Sequence, residues 1–514
     1  MDITDLSIEL YESHQRMINS EKKNFVKEVE SFQKYLDKIS EIFGIDQYNL
    51  ARYGYFLDMR LMRETYLELL EERPDIAEVR KSENLPVLMS VDMMDCGGKI
   101  AVIETNGFTC RGFSCGDVEM IVSSLKNVLK DGKVTFAIGY PFEEGKSRKS
   151  DDLVYEKILY CGALAKKMRE HGKKVKVEKF DDRIDSGRIN NDFDILMLLI
   201  PKNMSENFEI RDNRVFLENV RIDFISDNIA RTRNELVDYV ININPNGKIS
   251  DSKHLTYKAV ESFLKSLKRK SPVHALYSHR INVKELGDKE IREEVKKATR
   301  NILAMGRNIL VKPDKGSGGG GIFVCSTEEE VFERIKLAEP YAPDGNILIM
   351  ECAPVVPVDL DLDVGKIRSG DLLEKVIREI HQHALEEGIP ENFLKGKHAV
   401  DFRFYVVCLK GKEIIEKYGV KKINGESFYL APLAAILRMA PGIWIDDSKF
   451  LVEDPTIIKT NISQEVKDKG AKVEHGILRF FVPFKEILEA FNYRERYKDF
   501  MIASFDAVKA TIYY

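Results

Sequence analysis

No apolar stretch in these 514 residues is long enough to cross a bilayer, so no membrane-spanning role is expected. No signal peptide opens the chain, which points to a cytoplasmic protein. The seven cysteines are scattered and never take C-x-x-C spacing, which argues for a reducing compartment and against structural zinc. Cys110 and Cys115 are the closest pair and read as ordinary thiols. Positive charge is not in excess: a net charge of −5 argues against a general nucleic-acid binder. The basic run Leu267-Lys-Arg-Lys270 is short and reads as a solvated helix end. Internal repeats and low-complexity stretches are absent. Tryptophan occurs once, as Trp444, a position better suited to packing than to a ligand platform. What is left is a soluble globular composition, 44% apolar and 32% charged, with length for about three domains.

Glycine, by contrast, is concentrated. The run Asn308-Ile-Leu-Val-Lys-Pro-Asp-Lys-Gly-Ser-Gly-Gly-Gly-Gly-Ile-Phe-Val-Cys325 reads strand, loop, strand. Lacking a Cβ, Gly316, Gly318, Gly319 and Gly320, with Ser317 among them, can bring several backbone N–H groups close to an oxyanion. Lys312 adds a point charge at the loop's start, and Lys315 lies inside it. Gly316, Gly318 and Gly321 fit G-x-G-x-x-G, but that fingerprint must open a helix. Here Ile322-Phe-Val324 is a β-type run, and the helix-start signal comes later, at Ser326-Thr-Glu-Glu-Glu330. A P-loop is excluded because Ile322-Phe323, not Lys-Ser or Lys-Thr, follows Gly321. A flexible hairpin tip is the plain alternative. Glycines in unbroken succession from 318 to 321 are entropically costly, and a hairpin needs one or two, which favours phosphate binding.

A second constellation lies far upstream. Leu85 to Met94 reads as a strand, Asp95-Cys-Gly-Gly98 as a turn, and Lys99 to Asn106 as the returning strand. Residues two apart share a strand face, so Glu104 and Asn106 point together, with Asp92 across the turn. Two carboxylates and an amide oxygen form a hard, oxygen-only set suited to Mg²⁺. A surface hairpin that happens to carry acids is the alternative.

Elsewhere the pattern is helical over the first eighty residues or so. From Val134 strands alternate with helices (Val134–Gly139, Leu153–His171, Lys174–Phe180, Asp194–Ile200), which implies a small, mostly parallel α/β domain. A helix opens at Asp251-Ser-Lys253. Further elements are a helix Glu328–Leu337, a strand Asn346–Cys352, an amphipathic helix Ser369–Glu387, a strand Asp401–Cys408 and a last helix through Phe500–Lys509. Asp359, Asp361 and Asp363 alternate as on a solvated strand face. His381 and His383 lie two apart on a helix and so do not face one ligand.

Taken together the pieces resemble the ATP-grasp superfamily. The resemblance rests on the helix opened by Asp251-Ser-Lys253, the strand ending Val311-Lys-Pro313 before the glycine loop, a strand ending in Glu351, Asp401-Phe-Arg403, and the hairpin Asp92…Glu104-x-Asn106. The hairpin precedes the loop rather than following it. That permuted order, with Ser90–Met94, Val102–Asn106, Asn213–Ile225, Ile243–Lys253 and Ile436-Leu-Arg438, resembles eukaryotic-type glutathione synthetase. Asp401-Phe-Arg403 and Lys459–Ser463 are closer to tubulin-tyrosine-ligase-like enzymes. The chain departs from the glutathione synthetase pattern in three places. Gly316 stands where that family has an acidic metal ligand, with Asp314 the nearest substitute. Ile225-Ser226 stands for its Phe-Arg, and its Gly-Val-Ala-Ala segment has no counterpart.

The resemblance implies an α/β fold of the ATP-grasp type with α+β elements, a permuted metal hairpin, a Rossmann-like substrate domain and an N-terminal helical region. Boundaries are expected at 1–80 (helical), 81–130 (core piece with the hairpin), 131–240 (substrate domain), 241–345 (small lobe with the loop) and 346–514 (large lobe with an insertion at 359–399). It implies an ATP-dependent carboxylate–amine ligase acting on an amino acid or small peptide through an acyl phosphate. Lys253 and Lys312 would hold phosphates, together with Lys315 and the loop. The backbone of Met350, Glu351 and Cys352 would read adenine, and Asp359 the ribose. Asp92, Glu104 and Asn106 would hold one or two Mg²⁺ ions. Arg403 and Arg438 would stabilise the transferring group or anchor a carboxylate, and Arg111, just after the hairpin, is a further carboxylate anchor. The partners are small carboxylate and amine substrates, not nucleic acid or membrane, with a homodimer left open. A small-molecule kinase and a non-catalytic nucleotide-binding regulatory module are the alternatives.

Overall fold

The computed structural model describes residues 2–18, 22–43, 60–82, 85–86, 88–106, 119–120, 123–124, 134–139, 151–170, 172, 175–180, 195–199, 208–217, 220–222, 224–225, 247–250, 252–315, 321–342, 344–356, 358–361, 395–398, 400–439, 478–481 and 495–514. Its contacts divide into two compact units. One comprises 1–90, 106–248 and 405–434, the other 91–105, 249–404 and 435–514. The expected helix at Ser369–Glu387, Cys110, Cys115, Arg111, Trp444, His381, His383 and Gly316–Gly320 lie outside the described residues. Among the described residues no helix is long and apolar enough to cross a membrane.

The first unit carries the N-terminal helices α1 (Ile3–Ile18), α2 (Lys22–Phe43) and α3 (Arg60–Glu72). Its strand β1 (Glu78–Val79) pairs antiparallel with Tyr429 and Phe428. Strands β4 (Val134–Gly139), β5 (Val175–Phe180), β6 (Ile195–Leu199) and β10 (Phe224–Ile225) form a parallel sheet in the order β10-β6-β4-β5. This is the parallel arrangement expected from the alternation after Val134. Helix α4 (Asp151–Glu170) provides the crossover between β4 and β5. Helix α1 packs against α4 and β5. The crossing is close at Gly162, where a Cβ would come within 2.0 Å of the Ser7 carbonyl oxygen. A three-stranded antiparallel sheet follows, formed by β7 (Phe208–Arg211), β8 (Arg214–Leu217) and β9 (Val220–Ile222). Helix α8 (Gly411–Tyr418) also belongs here.

In the second unit, helix α5 (Lys253–Ser266) leads to strands β11 (Val273–His274) and β12 (Ser278–Asn282) and helix α6 (Asp288–Ala304). Strands β13 (Ile309–Pro313) and β14 (Phe323–Cys325) flank the glycine loop. Helix α7 (Glu328–Ala338) and strand β15 (Asn346–Glu351) follow. Thr327 caps α7 by accepting from the Glu330 N–H at 3.2 Å, and the Glu330 carboxylate accepts from the Ser326 N–H at 2.7 Å. This reciprocal pair is what Ser326-Thr-Glu-Glu-Glu330 foreshadows. The sheet runs β12-β15-β13-β14, antiparallel throughout.

Strand alternation sends the two faces of that sheet to different cores. Ile309 and Val311 of β13 and Ile347 and Ile349 of β15 pack with Val295, Ile302, Val331 and Phe332 of α6 and α7. The intervening Leu310, Leu348 and Met350 face Tyr257 of α5 and Ala101. Lys312 falls in the second set by register, opposite Leu348.

Strands β2 (Leu88–Asp95) and β3 (Ile100–Asn106) form a hairpin around the turn at Gly97 and Gly98, whose φ of +67° and +102° suit glycine. Strands β18 (Val400–Lys410) and β19 (Phe428–Met439) extend this sheet, in the order β1-β19-β18-β2-β3-β11, and β20 (Leu478–Phe481) also pairs with β19. A small antiparallel pair, β16 (Val358–Asp361) and β17 (Lys395–His398), joins the two ends of the expected insertion 359–399. The C-terminal helix α9 (Tyr497–Tyr513) is buried over nearly its whole length and packs against α5. Its Asp506 is 1% exposed and accepts from the Arg269 guanidinium and from Ser271 Oγ at 2.7 Å.

Candidate active site

The site is built where α5, β3, β13 and β18 meet in the second unit. Phe402 and Phe404 of β18 stack into an aromatic group with Tyr497 and Phe500 of α9, ring centroids 4.6 to 6.0 Å apart. Alternation therefore turns the intervening Arg403 to the opposite face. There it grips Asp92 with two parallel hydrogen bonds, Nε to Oδ1 at 2.5 Å and Nη2 to Oδ2 at 2.6 Å. Asp92 is 2% exposed. Arg403 also lies 3.8 Å from the Glu104 carboxylate. Arg403, far from the hairpin in sequence, is thus brought to Asp92 and Glu104.

Lys253, the first residue of α5, reaches the same place. Its Nζ lies 3.5 Å from Glu104 Oε2 and donates to the Asp314 carbonyl at 3.3 Å. Lys312 is 3% exposed, and its ammonium donates to the Tyr257 hydroxyl at 2.7 Å. Burial, reinforced by the charge of Lys253, lowers its pKa from the usual 10.5 to about 7, against the opposing pull of Glu104, Asp314 and Cys352. Burial likewise drives the Tyr257 phenol well above its ordinary range, helped by Glu104 and Asp314.

Asp314, the nearest substitute for the missing acidic ligand, lies against the N-terminus of α5. It is completely buried. One carboxylate oxygen accepts from Ser252 Oγ at 2.8 Å and the other from the His254 N–H at 2.9 Å, and Arg280 lies 3.6 Å away. Ser252 in turn accepts from the Leu255 N–H at 3.1 Å. Asp314 therefore secures the N-terminus of α5, where a helix leaves N–H groups without partners and favours negative charge. Asp314→Ala should lower unfolding stability by roughly 2–4 kcal/mol, because Ser252 and Arg280 lose a buried anion. Urea titration checks this, and a loss below about 0.5 kcal/mol would contradict the capping role.

The remaining expected residues are placed as follows. Met350 lies in the Tyr257 cluster. The Glu351 N–H donates to the Tyr277 carbonyl at 3.1 Å and the Cys352 N–H to the Asn308 carbonyl at 2.8 Å, so both N–H groups are already engaged within the fold. The Glu351 carboxylate accepts from the Tyr277 N–H at 2.8 Å and lies 3.3 Å from His274 Nε2. Burial opposes its ionisation, but His274 and the Tyr277 N–H outweigh it and hold the pKa below the usual carboxylate value. Lys315 lies 3.6 Å from Asp344. Asp359 pairs with Lys397 across β16 and β17, and Arg438 with Arg479 across β19 and β20. The side chains of Asp359 and Arg438, like Gly316–Gly320 and Arg111, lie outside the described set.

Asp92 and Glu104 are hard oxygen donors, with both Asp92 oxygens engaged by Arg403 in this structure. Asp92 and Glu104 already converge on a positive group, the Arg403 guanidinium. Asn106, two residues past Glu104, has a buried amide nitrogen with no hydrogen-bond partner among the described residues. Among those residues no three His, Cys, Asp or Glu side chains gather at one point. An ion here would rest on Asp92, Glu104, the Asn106 amide oxygen and oxygens from water or a ligand, as Mg²⁺ commonly does.

Tyr257, Thr256, Ser252 and Arg280 were not foreseen. The signal for two of them was available: positions 253, 256 and 257 share a helix face, so a functional Lys253 brings Thr256 and Tyr257 with it.

No family model and no curated protein matches the sequence. Solved structures similar to this chain include a protein from Methylobacillus flagellatus KT described as a "Putative gamma-glutamylcysteine synthetase". That match has 14% identity and a TM-score of 0.42, covering 90% of this chain and 97% of that one. Others are the D-alanine–D-alanine ligase of Bacillus anthracis (11% identity, TM-score 0.24, 66% of this chain and 100% of that one) and a biotin carboxylase–ATP complex from Campylobacter jejuni (11%, 0.20, 62% and 69%).

Proposed function

We propose that this chain is an ATP-dependent carboxylate–amine ligase with a permuted ATP-grasp arrangement, acting on an amino acid or small peptide. The observation that carries the reading is the meeting of Lys312, Lys253 and Arg403 with Asp92 and Glu104 around the N-terminus of α5, with Lys312 at the foot of the glycine loop. Phosphoryl transfer asks a protein mainly for positioning and charge neutralisation, and these side chains offer both.

In the reaction a carboxylate oxygen attacks the γ-phosphorus of ATP and ADP leaves, giving an acyl phosphate. An amine nitrogen then attacks the acyl carbon, the C–O bond to phosphate breaks, and the amine loses a proton. Lys253 and Lys312 hold phosphate oxygens. Arg403, already shaped for bidentate contact with a carboxylate, neutralises the transferring group or anchors the substrate. Asp92, Glu104 and Asn106 would hold Mg²⁺, which would supply charge neutralisation at the phosphates.

The test is ADP release with Mg²⁺-ATP and pooled amino acids and short peptides, with hydroxylamine present. A hydroxamate marks the acyl phosphate, whereas ADP release without hydroxamate favours a kinase. Absence of ADP release with every pool would favour a non-catalytic nucleotide-binding module. Glu104→Gln should cut turnover roughly 100-fold or more while leaving the fold intact. Near-native turnover in that variant would remove the hairpin from the site.

A further inference from the structure

One helix face touches three successive residues of β3. From α5, Tyr257 donates its hydroxyl proton to the Ile103 carbonyl at 2.5 Å, Lys253 Nζ lies 3.5 Å from the Glu104 carboxylate, and Thr256 Oγ1 meets Thr105 Oγ1 at 2.9 Å. Strand β11 covers only Ile100 and Ala101 of that strand, so beyond Ala101 the side chains of α5 reach β3 instead. The Tyr257 ring is buried between Ala101, Leu276, Leu348 and Met350. A phenylalanine would fill the same space, so the hydroxyl is not needed for packing.

Its role follows from hydrogen-bond capacity. A phenolic hydroxyl has one proton and spare lone pairs. With the proton committed to Ile103, a lone pair faces the Lys312 ammonium. Among the described residues this hydroxyl is the hydrogen-bond partner of Lys312. The Lys312 nitrogen also lies 5.2 Å from the Tyr257 ring centroid. The other charged or titratable groups around Lys312 are Lys253 on α5, Glu104 on β3, Asp314 after β13 and Cys352 after β15.

We propose that Tyr257 is a positioning residue: its hydroxyl, fixed by the Ile103 carbonyl, holds the Lys312 ammonium in the orientation that receives a nucleotide's phosphates, tying the glycine-loop strand to the metal hairpin. The proposal rests on the nucleotide reading of the site. Tyr257 touches no substrate itself and acts through Lys312.

Tyr257→Phe keeps the ring and removes only the hydroxyl. Calorimetric titration with ATP and, separately, with adenosine tests the idea, with Lys312→Met as the reference. ATP affinity of Tyr257→Phe should fall about tenfold, the scale of a hydrogen bond to a charged group, while adenosine affinity stays within about twofold of wild type. Adenosine has no phosphates, so a merely structural disturbance would weaken both ligands alike. Equal losses, or no loss for either, overturn the proposal. If wild type binds ATP, Lys312→Met does not, and Tyr257→Phe binds like wild type, only this proposal falls. If wild type binds neither ligand, the nucleotide reading falls, and this proposal with it.

Discussion

Lys312→Met should lose ATP binding and gain stability. The lysine is 3% exposed, on the sheet face it shares with Leu310, Leu348 and Met350, and burial is the first reason its pKa drops to about 7. In the unfolded chain a lysine keeps its ordinary value near 10.5. Between those two values the unfolded state binds a proton that the native state does not, so stability rises with pH across this window. Below pH 7 both states carry the proton and the native state bears the full penalty of a buried ammonium; above about 10.5 neither does and the penalty is gone. Methionine fills a similar volume and carries no charge. The variant should therefore exceed wild type in stability by an amount on the order of 4 kcal/mol at pH 7, shrinking toward pH 10. Its ATP affinity should fall at least ~100-fold, since the phosphates lose a charge-assisted donor. Urea midpoints of both proteins from pH 6 to 10, with calorimetry for ATP, measure the two halves. A variant less stable than wild type at pH 7 would remove the burial argument, and retained ATP affinity would remove Lys312 from the nucleotide site.

How much of this was legible depended on the range of each interaction. The hairpin at Asp92 could be read because a turn and two alternating strands are local, and Gly97 and Gly98 adopt the positive φ that such a turn invites. The parallel sheet after Val134 and the cap at Thr327 were visible for the same reason. Arg403 could be named from a motif, but not its bidentate grip on Asp92, because sequence alone does not give the alignment of β18 beside β2. Asp314 was named only as the acid nearest Gly316, and its contacts with α5 could not be read from the sequence. Its partners Ser252 and His254 belong to a helix that starts far upstream. The helix face shared with Lys253 pointed to Tyr257, but not to its chemistry, which depends on Ile103 and Lys312, one on each side in sequence and neither near it.

Cutting the Asp92–Arg403 pair at one end should be far more damaging than removing it whole. Asp92 is 2% exposed and the Arg403 side chain 11%, and two short parallel bonds join them. Arg403→Met leaves the Asp92 carboxylate buried without that guanidinium, and Asp92→Leu leaves the guanidinium buried beside Glu104. Each single variant should lose about 3–5 kcal/mol, the usual cost of breaking a buried ion pair at one end. The double variant Asp92→Leu/Arg403→Met removes both charges and should recover most of that loss, since apolar replacements of a buried ion pair are often neutral or better. Activity should follow the opposite rule. If Asp92 holds the metal and Arg403 the transferring group, the double variant is as inactive as either single one, with its fold restored. A urea-denaturation double-mutant cycle, run alongside ADP release, separates the two roles. Additive stability losses would show that the pair is not coupled in solution. Activity recovered together with stability would show that Asp92 and Arg403 serve the fold alone, and the site would then have to be sought without them.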